Sequence, residues 1–127
     1  MTKKKQYHLL IVDDDKQLRI ALEKILTKSG YLVSTAPNGI EAVELVSAGE
    51  FDLIISDIRM PEKNGLDLLD NIKKFKPGIP VILMTAFGEP LSFHNAMEKG
   101  ACEYIHKPIK KQVLLNLVST ILKSNSQ

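Results

Sequence analysis

Short apolar runs alternate with longer amphipathic segments along this chain. The runs are continuous or nearly continuous in hydrophobic residues, which is typical of strands buried on both faces of a parallel sheet. They predict five strands, at about His8–Val12, Tyr31–Thr35, Leu53–Ser56, Val81–Met84 and Glu103–His106.

The segments between and after these strands carry apolar residues at helical spacing and predict five helices. Helix 1 is capped by Asp15 and ends at Gly30, helix 2 starts at Asn38, helix 4 opens near Pro90, and helix 5 follows Pro108. The residues expected to face inward are Leu18, Leu22, Ile25 and Leu26 in helix 1, Ala42, Val43 and Val46 in helix 2, Leu66, Leu69 and Ile72 in helix 3, and Val113, Leu114, Leu117, Val118, Ile121 and Leu122 in helix 5.

Strands that alternate with helices predict an α/β fold in which right-handed crossovers join parallel strands. A doubly wound five-stranded parallel sheet with strand order 2-1-3-4-5 is the expected topology. In this order strands 1 and 3 flank the point where the strand order reverses, and ligands bind beyond the carboxyl ends of strands at such a point. Functional residues are therefore expected at those strand ends.

Four of the predicted strands stop at polar residues suited to handling a phosphoryl group. Asp13 and Asp14 follow strand 1, Asp57 follows strand 3, Thr85 follows strand 4 and Lys107 follows strand 5. Three carboxylates packed together repel one another, and a bound divalent cation resolves that conflict. Because all the ligands are oxygen atoms, we expect Asp13, Asp14 and Asp57 to hold Mg²⁺ or Mn²⁺.

A metal-bound carboxylate can attack phosphorus and form an aspartyl phosphate. Asp57 is the candidate, because Met60-Pro61 and Asn64-Gly65 are expected to hold the following loop away from it. The metal and the Lys107 ammonium would offset the charge of the transferring group. The Thr85 hydroxyl would donate a hydrogen bond to a phosphoryl oxygen.

Composition narrows the class of protein. The chain has 127 residues and is 44% hydrophobic, so we expect a single domain over residues 1–127 with an ordered core at about 7–123. A net charge of +2 argues against a nucleic-acid partner, and a single cysteine, Cys102, excludes an internal disulfide framework and a multi-cysteine zinc site. Without an apolar run of membrane-spanning length or a secretory leader pattern, we expect a cytoplasmic location and no membrane partner.

The chain resembles the response-regulator receiver domain of bacterial two-component systems and is chemotaxis-regulator-like. The matching stretches occur in the family's order and approximate spacing and cover nearly all of the chain. They are Ile11-Val12-Asp13-Asp14, Ser56-Asp57-Ile58-Arg59-Met60-Pro61, Asn64-Gly65, Met84-Thr85-Ala86 and Lys107-Pro108.

The resemblance implies a flavodoxin-like (βα)5 fold and a Mg²⁺-dependent phosphorelay function. A sensor histidine kinase or a phosphotransfer protein would transfer a phosphoryl group to Asp57. Asp14 would be a direct metal ligand, Asp13 would bind the metal chiefly through water, and the backbone carbonyl of Arg59 would complete the protein ligands. Such a domain catalyses its own phosphorylation and dephosphorylation and is not a conventional enzyme.

The resemblance also implies how the signal leaves the site. Thr85 and Lys107 would contact the phosphoryl group, Tyr104 would occupy the aromatic switch position, and the Lys107–Pro108 bond would be cis. Ile109, Lys110 and Lys111 depart from the family's common aromatic residue and acidic helix cap, and lysines at a helix N-terminus oppose the helix dipole. A weak start of helix 5 is expected. The expected surface for an unknown downstream protein comprises helix 4, strand 5 and the start of helix 5, including Phe93, Tyr104, Lys110 and Lys111.

Two other functional classes remain open. A phosphatase with an aspartyl nucleophile commonly carries a second acid two residues after it, where this chain has Arg59. A metal-independent interaction module would have lost part of the site, whereas here the set of site residues is complete. Within the leading interpretation, the domain would regulate transcription through an output domain outside this sequence or act as a stand-alone receiver.

His8, His94 and His106 are scattered along the chain and do not form a metal-binding set. We interpret them as ordinary polar or half-buried histidines. For His106, which lies beside Lys107, the alternative is that it senses the charge of the site.

Overall fold

A computed structural model describes residues 6–58, 65–86 and 93–125 of the chain. All neighbouring strands in its five-stranded sheet are parallel, and the strand order is β2-β1-β3-β4-β5, which confirms the predicted topology. The strands are β1 (His8–Val12), β2 (Leu32–Ala36), β3 (Leu53–Asp57), β4 (Val81–Thr85) and β5 (Glu103–His106). The helices are α1 (Lys16–Lys28), α2 (Gly39–Ala48), α3 (Gly65–Phe75), α4 (Phe93–Glu98) and α5 (Lys111–Asn125).

The sheet is covered on both faces, because side chains alternate along each strand and both sets are largely apolar in the three central strands. One face packs against α2, α3 and α4, and the other packs against α1 and α5. The first core layer includes Leu10, Val12, Ile54 and Leu83 with Ala42, Val46, Leu69, Ile72 and Ala96. The second includes Leu9, Ile11, Ile55, Ile82 and Met84 with Leu22, Leu26, Leu114, Val118 and Leu122.

Four strand boundaries differ by one residue from the sequence prediction, namely both ends of β2 and the carboxyl ends of β3 and β4. Strand β2 starts at Leu32 rather than Tyr31, because the Tyr31 amide still donates to the Leu26 carbonyl at the end of α1, at 3.2 Å. Strands β3 and β4 extend to Asp57 and Thr85. The apolar pattern stops before these polar residues, whereas backbone pairing continues through them.

The first two helices begin at the N-cap residues that the sequence predicted. The Asp15 carboxylate accepts hydrogen bonds from the amides of Gln17 and Leu18, which confirms it as the N-cap of α1. Asn38 caps α2 in the same way by accepting from the Glu41 amide at 2.9 Å. Each cap satisfies amides that a helix N-terminus otherwise leaves unpaired.

The predicted inward stripe of α5 was too wide. Leu114 is fully buried, but its neighbour Val113 is 52% exposed. Successive residues in a helix are rotated by about 100°, and in this turn of α5 Leu114 faces the sheet while Val113 points away from it. Val113 instead lines an open cavity of about 450 Å³ together with Ile105 of the edge strand and Leu117.

Some predictions fall outside the described residues. These are the start of helix 4 near Pro90 and the inward-facing side chain of Leu66. In the same helix as Leu66, Leu68 is fully buried although it was not predicted to face inward. In the described parts of the chain, every helix is too short or too polar to cross a bilayer.

Candidate functional site

Three carboxylates meet where β1 and β3 end. The two strands are neighbours, with Val12 paired to Ser56, so the residues that follow them share one edge of the sheet. Carboxylate oxygens of Asp13, Asp14 and Asp57 lie within 4.8 Å of one another. Asp13 is completely buried, Asp57 is only 6% exposed, and Asp14 is exposed. The site is therefore a crevice with one solvent-facing wall.

Backbone and side-chain contacts fix Asp13 in place. Its Oδ1 accepts a hydrogen bond from the Asp15 amide at 2.9 Å, and its own amide donates to the Ala36 carbonyl of β2. The Arg19 guanidinium reaches back from α1 and donates to the Asp13 carbonyl at 2.6 Å. Arg19 was not predicted to support the site. Its position one turn into α1, from which a long side chain can reach back over the β1–α1 loop, could have indicated this contact.

Lys107 supplies the positive charge of the crevice. Its Nζ lies 3.0 Å from Oδ2 of Asp13 and 3.4 Å from Oδ1 of Asp57. The Lys107 amide donates to the Thr85 carbonyl at 2.7 Å, which joins β4 to the residue after β5. The Lys107–Pro108 peptide bond is cis, as predicted.

Burial and neighbouring charges raise the pKa values of both Asp57 and Lys107, but burial acts in opposite directions on the two groups. Burial and the nearby Asp13 carboxylate raise the pKa of Asp57 to about 6, against the lowering influence of Lys107. Burial alone would lower the pKa of the Lys107 ammonium. The Asp13 and Asp57 carboxylates outweigh that effect, and the pKa of Lys107 is raised. The crevice therefore carries more negative charge than its own lysine neutralises.

The donor set fits a hard divalent cation. All three side chains offer carboxylate oxygens, which Mg²⁺ and Mn²⁺ prefer. Oδ2 of Asp13 is buried, and in the described part of the chain it is compensated by the Lys107 ammonium, which it shares with Asp57. A cation would satisfy that oxygen. The Arg59 carbonyl, expected as a further ligand, lies outside the described residues.

Thr85 and Tyr104 are joined by a third side chain, His106. Thr85 is buried at the end of β4, and its Oγ1 lies 3.1 Å from Nδ1 of His106, its register partner in β5. The His106 ring makes an edge-on contact with the Tyr104 ring, with centroids 5.3 Å apart. From the sequence, His106 was expected to lie beside Lys107, with sensing of the site's charge as the alternative to an ordinary histidine. The pairing with Thr85 follows from the strand register, which a single sequence does not reveal.

The remaining residues of the predicted partner surface, and the two histidines predicted to lie outside the site, have the following positions. Lys110 and Lys111 are exposed at the start of α5. The side chain of Phe93 lies outside the described residues. His8 contacts Ser34 and the Glu50 carbonyl, and His94 pairs with Glu98 on α4, so both lie away from the carboxylate crevice.

Comparisons with known proteins agree on one family. The family model described as the response regulator receiver domain matches residues 9–119. The chain is 38% identical to the DNA-binding transcriptional regulator NtrC of Azospirillum brasilense over 118 residues, which are 93% of this chain and 24% of that protein. It is 38% identical to the transcriptional regulatory protein GlrR of Escherichia coli K12 over 96% of this chain and 28% of that protein.

Solved structures show the same fold. A response regulator receiver domain protein from Clostridium thermocellum superposes with a TM-score of 0.89 at 29% identity, covering 94% of this chain and 97% of that one. By contrast, the chain spans only about a quarter of the length of the two regulators that it matches.

Proposed function

The chain belongs to the response regulator receiver domain family of two-component systems, and on that premise we propose that it accepts a phosphoryl group on Asp57 in a Mg²⁺-dependent reaction. The donor is a sensor histidine kinase or a phosphotransfer protein. One observation carries the proposal: the Asp57 carboxylate ends a central strand, with the Asp13 carboxylate and the Lys107 ammonium beside it.

The proposed transfer is a nucleophilic displacement at phosphorus. An Asp57 oxygen forms a P–O bond while the P–N bond to the donor's imidazole breaks, and the released imidazole keeps the electron pair and takes up a proton. Later attack by water returns the Asp57 carboxylate and releases phosphate. The domain thus catalyses changes on its own side chain and is not a conventional enzyme.

The electrostatics of the crevice suit this nucleophile. A pKa of about 6 leaves Asp57 ionised at neutral pH and more basic than an ordinary aspartate. When bound, Mg²⁺, or Mn²⁺ as a substitute, supplies positive charge against the repulsion between the carboxylates and the incoming phosphoryl group. Asp14 and Asp57 are proposed as direct ligands, Asp13 as a ligand chiefly through water, and the Arg59 carbonyl as the last protein ligand.

Lys107 is proposed to exchange partners during the reaction. Its ammonium is shared between Asp13 and Asp57 in the structure. As negative charge accumulates on the phosphoryl oxygens, the ammonium would move to one of them through a charge-assisted hydrogen bond. The Thr85 hydroxyl would donate to another phosphoryl oxygen, and Tyr104 would follow Thr85.

The output of the switch is proposed to be a protein contact. The surface formed by α4, β5 and the start of α5 carries Tyr104 and the exposed Lys110 and Lys111. Phosphorylation would change the affinity of this surface for a downstream protein. Since the matched relatives are transcriptional regulators, control of transcription through an output domain is one proposed outcome, and action as a stand-alone receiver is the other.

Intact-protein mass spectrometry tests the proposal. The protein is incubated with Mg²⁺ and acetyl phosphate, and the gain of one phosphoryl group is measured for wild type, Asp57→Asn and Asp70→Asn. Asp70 is an exposed carboxylate on α3 and serves as the matched control. Loss of the gain in Asp57→Asn alone, and in wild type with a chelator, is expected. Undiminished phosphorylation of Asp57→Asn would refute the assignment.

A further inference from the structure

His106 contacts both residues through which the phosphoryl signal is proposed to leave the site. Its Nδ1 lies 3.1 Å from Oγ1 of Thr85, and its ring packs edge-on against Tyr104. His106 and Tyr104 are two residues apart in β5, so their side chains project from the same face of the sheet. Thr85 is the register partner of His106 on the adjacent strand.

The Thr85 hydroxyl is buried and needs a hydrogen-bond partner. In the described part of the chain, the partner of this side chain is His106. The contact directs the hydroxyl oxygen toward β5, and with the ring proton on Nε2 the hydroxyl donates its own proton to Nδ1. A threonine side chain has few alternative rotamers. Because a hydroxyl has a single proton, a Thr85 that donates to Nδ1 cannot at the same time donate to a phosphoryl oxygen.

We infer that His106 is a positioning residue of the switch: it holds the Thr85 hydroxyl against β5 in the unphosphorylated protein and is exchanged for the phosphoryl group on Asp57. The inference rests on the proposed roles of Asp57 and Thr85. The hydroxyl still moves to the phosphoryl group when Asp57 is phosphorylated, since a hydrogen bond to a charged phosphoryl oxygen is stronger than one to an imidazole nitrogen. The histidine therefore raises the threshold for switching without blocking it.

The expected consequence is a variant that switches more easily. Without Nδ1, the resting state loses one hydrogen bond while the phosphoryl-bound state loses none. One such bond corresponds to about a threefold to tenfold change in an equilibrium constant. Valine is a suitable replacement, because it favours strands and cannot accept or donate a hydrogen bond.

Beryllofluoride with Mg²⁺ is the probe, since it binds a carboxylate oxygen with the tetrahedral geometry of a phosphoryl group. Titrations followed by backbone amide spectra give its dissociation constant for wild type, His106→Val, His106→Asn and His106→Gln. His106→Val should bind about threefold to tenfold more tightly than wild type. Asparagine places a polar atom near the Nδ1 position and should restore wild-type affinity, whereas the longer glutamine should not.

A double-mutant cycle separates this role from a general effect on the fold. In a Thr85→Val background, His106→Val should leave the dissociation constant unchanged, because the hydroxyl that it releases is already absent. Unchanged or weaker binding by His106→Val in the wild-type background would overturn the inference. So would a persistent effect in the Thr85→Val background, or rescue by glutamine as complete as that by asparagine.

The same titrations distinguish failure of the inference from failure of the proposed function. If wild type binds beryllofluoride, Asp57→Asn does not, and His106→Val has the wild-type dissociation constant, only the role of His106 is overturned. Wild type that binds no beryllofluoride and gains no phosphoryl group would overturn both.

Discussion

The Lys107 ammonium lies 3.0 Å from Oδ2 of Asp13, a carboxylate that is completely buried. The lysine side chain remains 23% exposed, so the pair is open on one side only. Removing one member of such a pair leaves the other charge without compensation, which costs more than the pair itself contributes. The stability of the fold should therefore depend on whether a cation, either the Lys107 ammonium or a bound metal ion, lies beside Asp13.

We expect Lys107→Met to be less stable than wild type in the absence of divalent metal. The estimated loss is about 1–3 kcal/mol, below the range for fully buried pairs because the lysine is partly hydrated. Added Mg²⁺ should recover part of the loss, since it can take over the neutralising role. Urea unfolding with EDTA and with Mg²⁺ measures both effects.

Lys110→Met is the control for this prediction, because Lys110 is exposed and follows Lys107 at a short distance along the chain. Its stability should stay within about 0.5 kcal/mol of wild type. If Lys107→Met matched Lys110→Met in EDTA, Lys107 would not compensate the buried carboxylate.

The raised pKa of Asp57 predicts an unusual dependence of stability on pH. Between pH 3.8, the ordinary pKa, and the folded value of about 6, the folded state binds more protons than the unfolded state. The contribution of Asp57 to the free energy of unfolding therefore decreases as pH rises through this window. At neutral pH the ionised carboxylate destabilises the metal-free fold.

Asp57→Asn should remove this contribution. In EDTA we expect the variant to be more stable than wild type by about 1–2 kcal/mol at pH 7.5, and the difference should shrink toward pH 4. Urea unfolding across that range measures it, with Asp70→Asn as the control for loss of a surface charge. A difference that is constant with pH, or larger at pH 4, would contradict the assigned pKa shift.

The fold was largely predictable because the central strands are short, largely apolar runs and the helices between them carry apolar stripes. The convergence of Asp13, Asp14, Asp57 and Lys107 followed from the topology alone, since parallel strands end at one edge of the sheet. These expectations used only the order of residues along the chain.

What could not be predicted depends on three-dimensional geometry that the order of residues does not contain. The contact between Thr85 and His106 requires the register of β4 and β5 and a side-chain rotamer. The hydrogen bond from Arg19 to the Asp13 carbonyl depends on how a loop folds back over α1. The exposure of Val113 depends on how α5 is rotated against the sheet, which the helical pattern leaves open by one residue.

The orientation of α5 can be tested by comparing the stability of alanine variants at the buried Leu114 and the exposed Val113. Leu114→Ala should lower the free energy of unfolding by about 2–4 kcal/mol, because it leaves a cavity in the layer between α5 and the sheet. Val113→Ala should change it by less than about 0.5 kcal/mol. Equal losses, measured by urea unfolding, would restore the wide stripe that the sequence predicted and reject the observed orientation of α5.

Thr85 is expected to transmit phosphorylation rather than only permit it. Its hydroxyl is proposed to gain a phosphoryl contact that exists only in the modified state, and a switch needs such a differential contact. Thr85→Ala should therefore still accept phosphate at Asp57 while producing smaller amide chemical-shift changes in α4 and β5. It should also lose about 1–2 kcal/mol of stability, because a buried hydroxyl and its hydrogen bond to His106 are removed.

Thr85→Ser is the matched variant, since it keeps the hydroxyl and loses only a methyl group. It should retain most of the phosphorylation-dependent shifts in β5, including those at Tyr104. The comparison separates the hydroxyl from the bulk of the side chain, because both variants reduce volume and only alanine removes the donor. Alanine and serine variants with equal shifts would show that the hydroxyl does not carry the signal, and the path from Asp57 to β5 would then run through Lys107 alone.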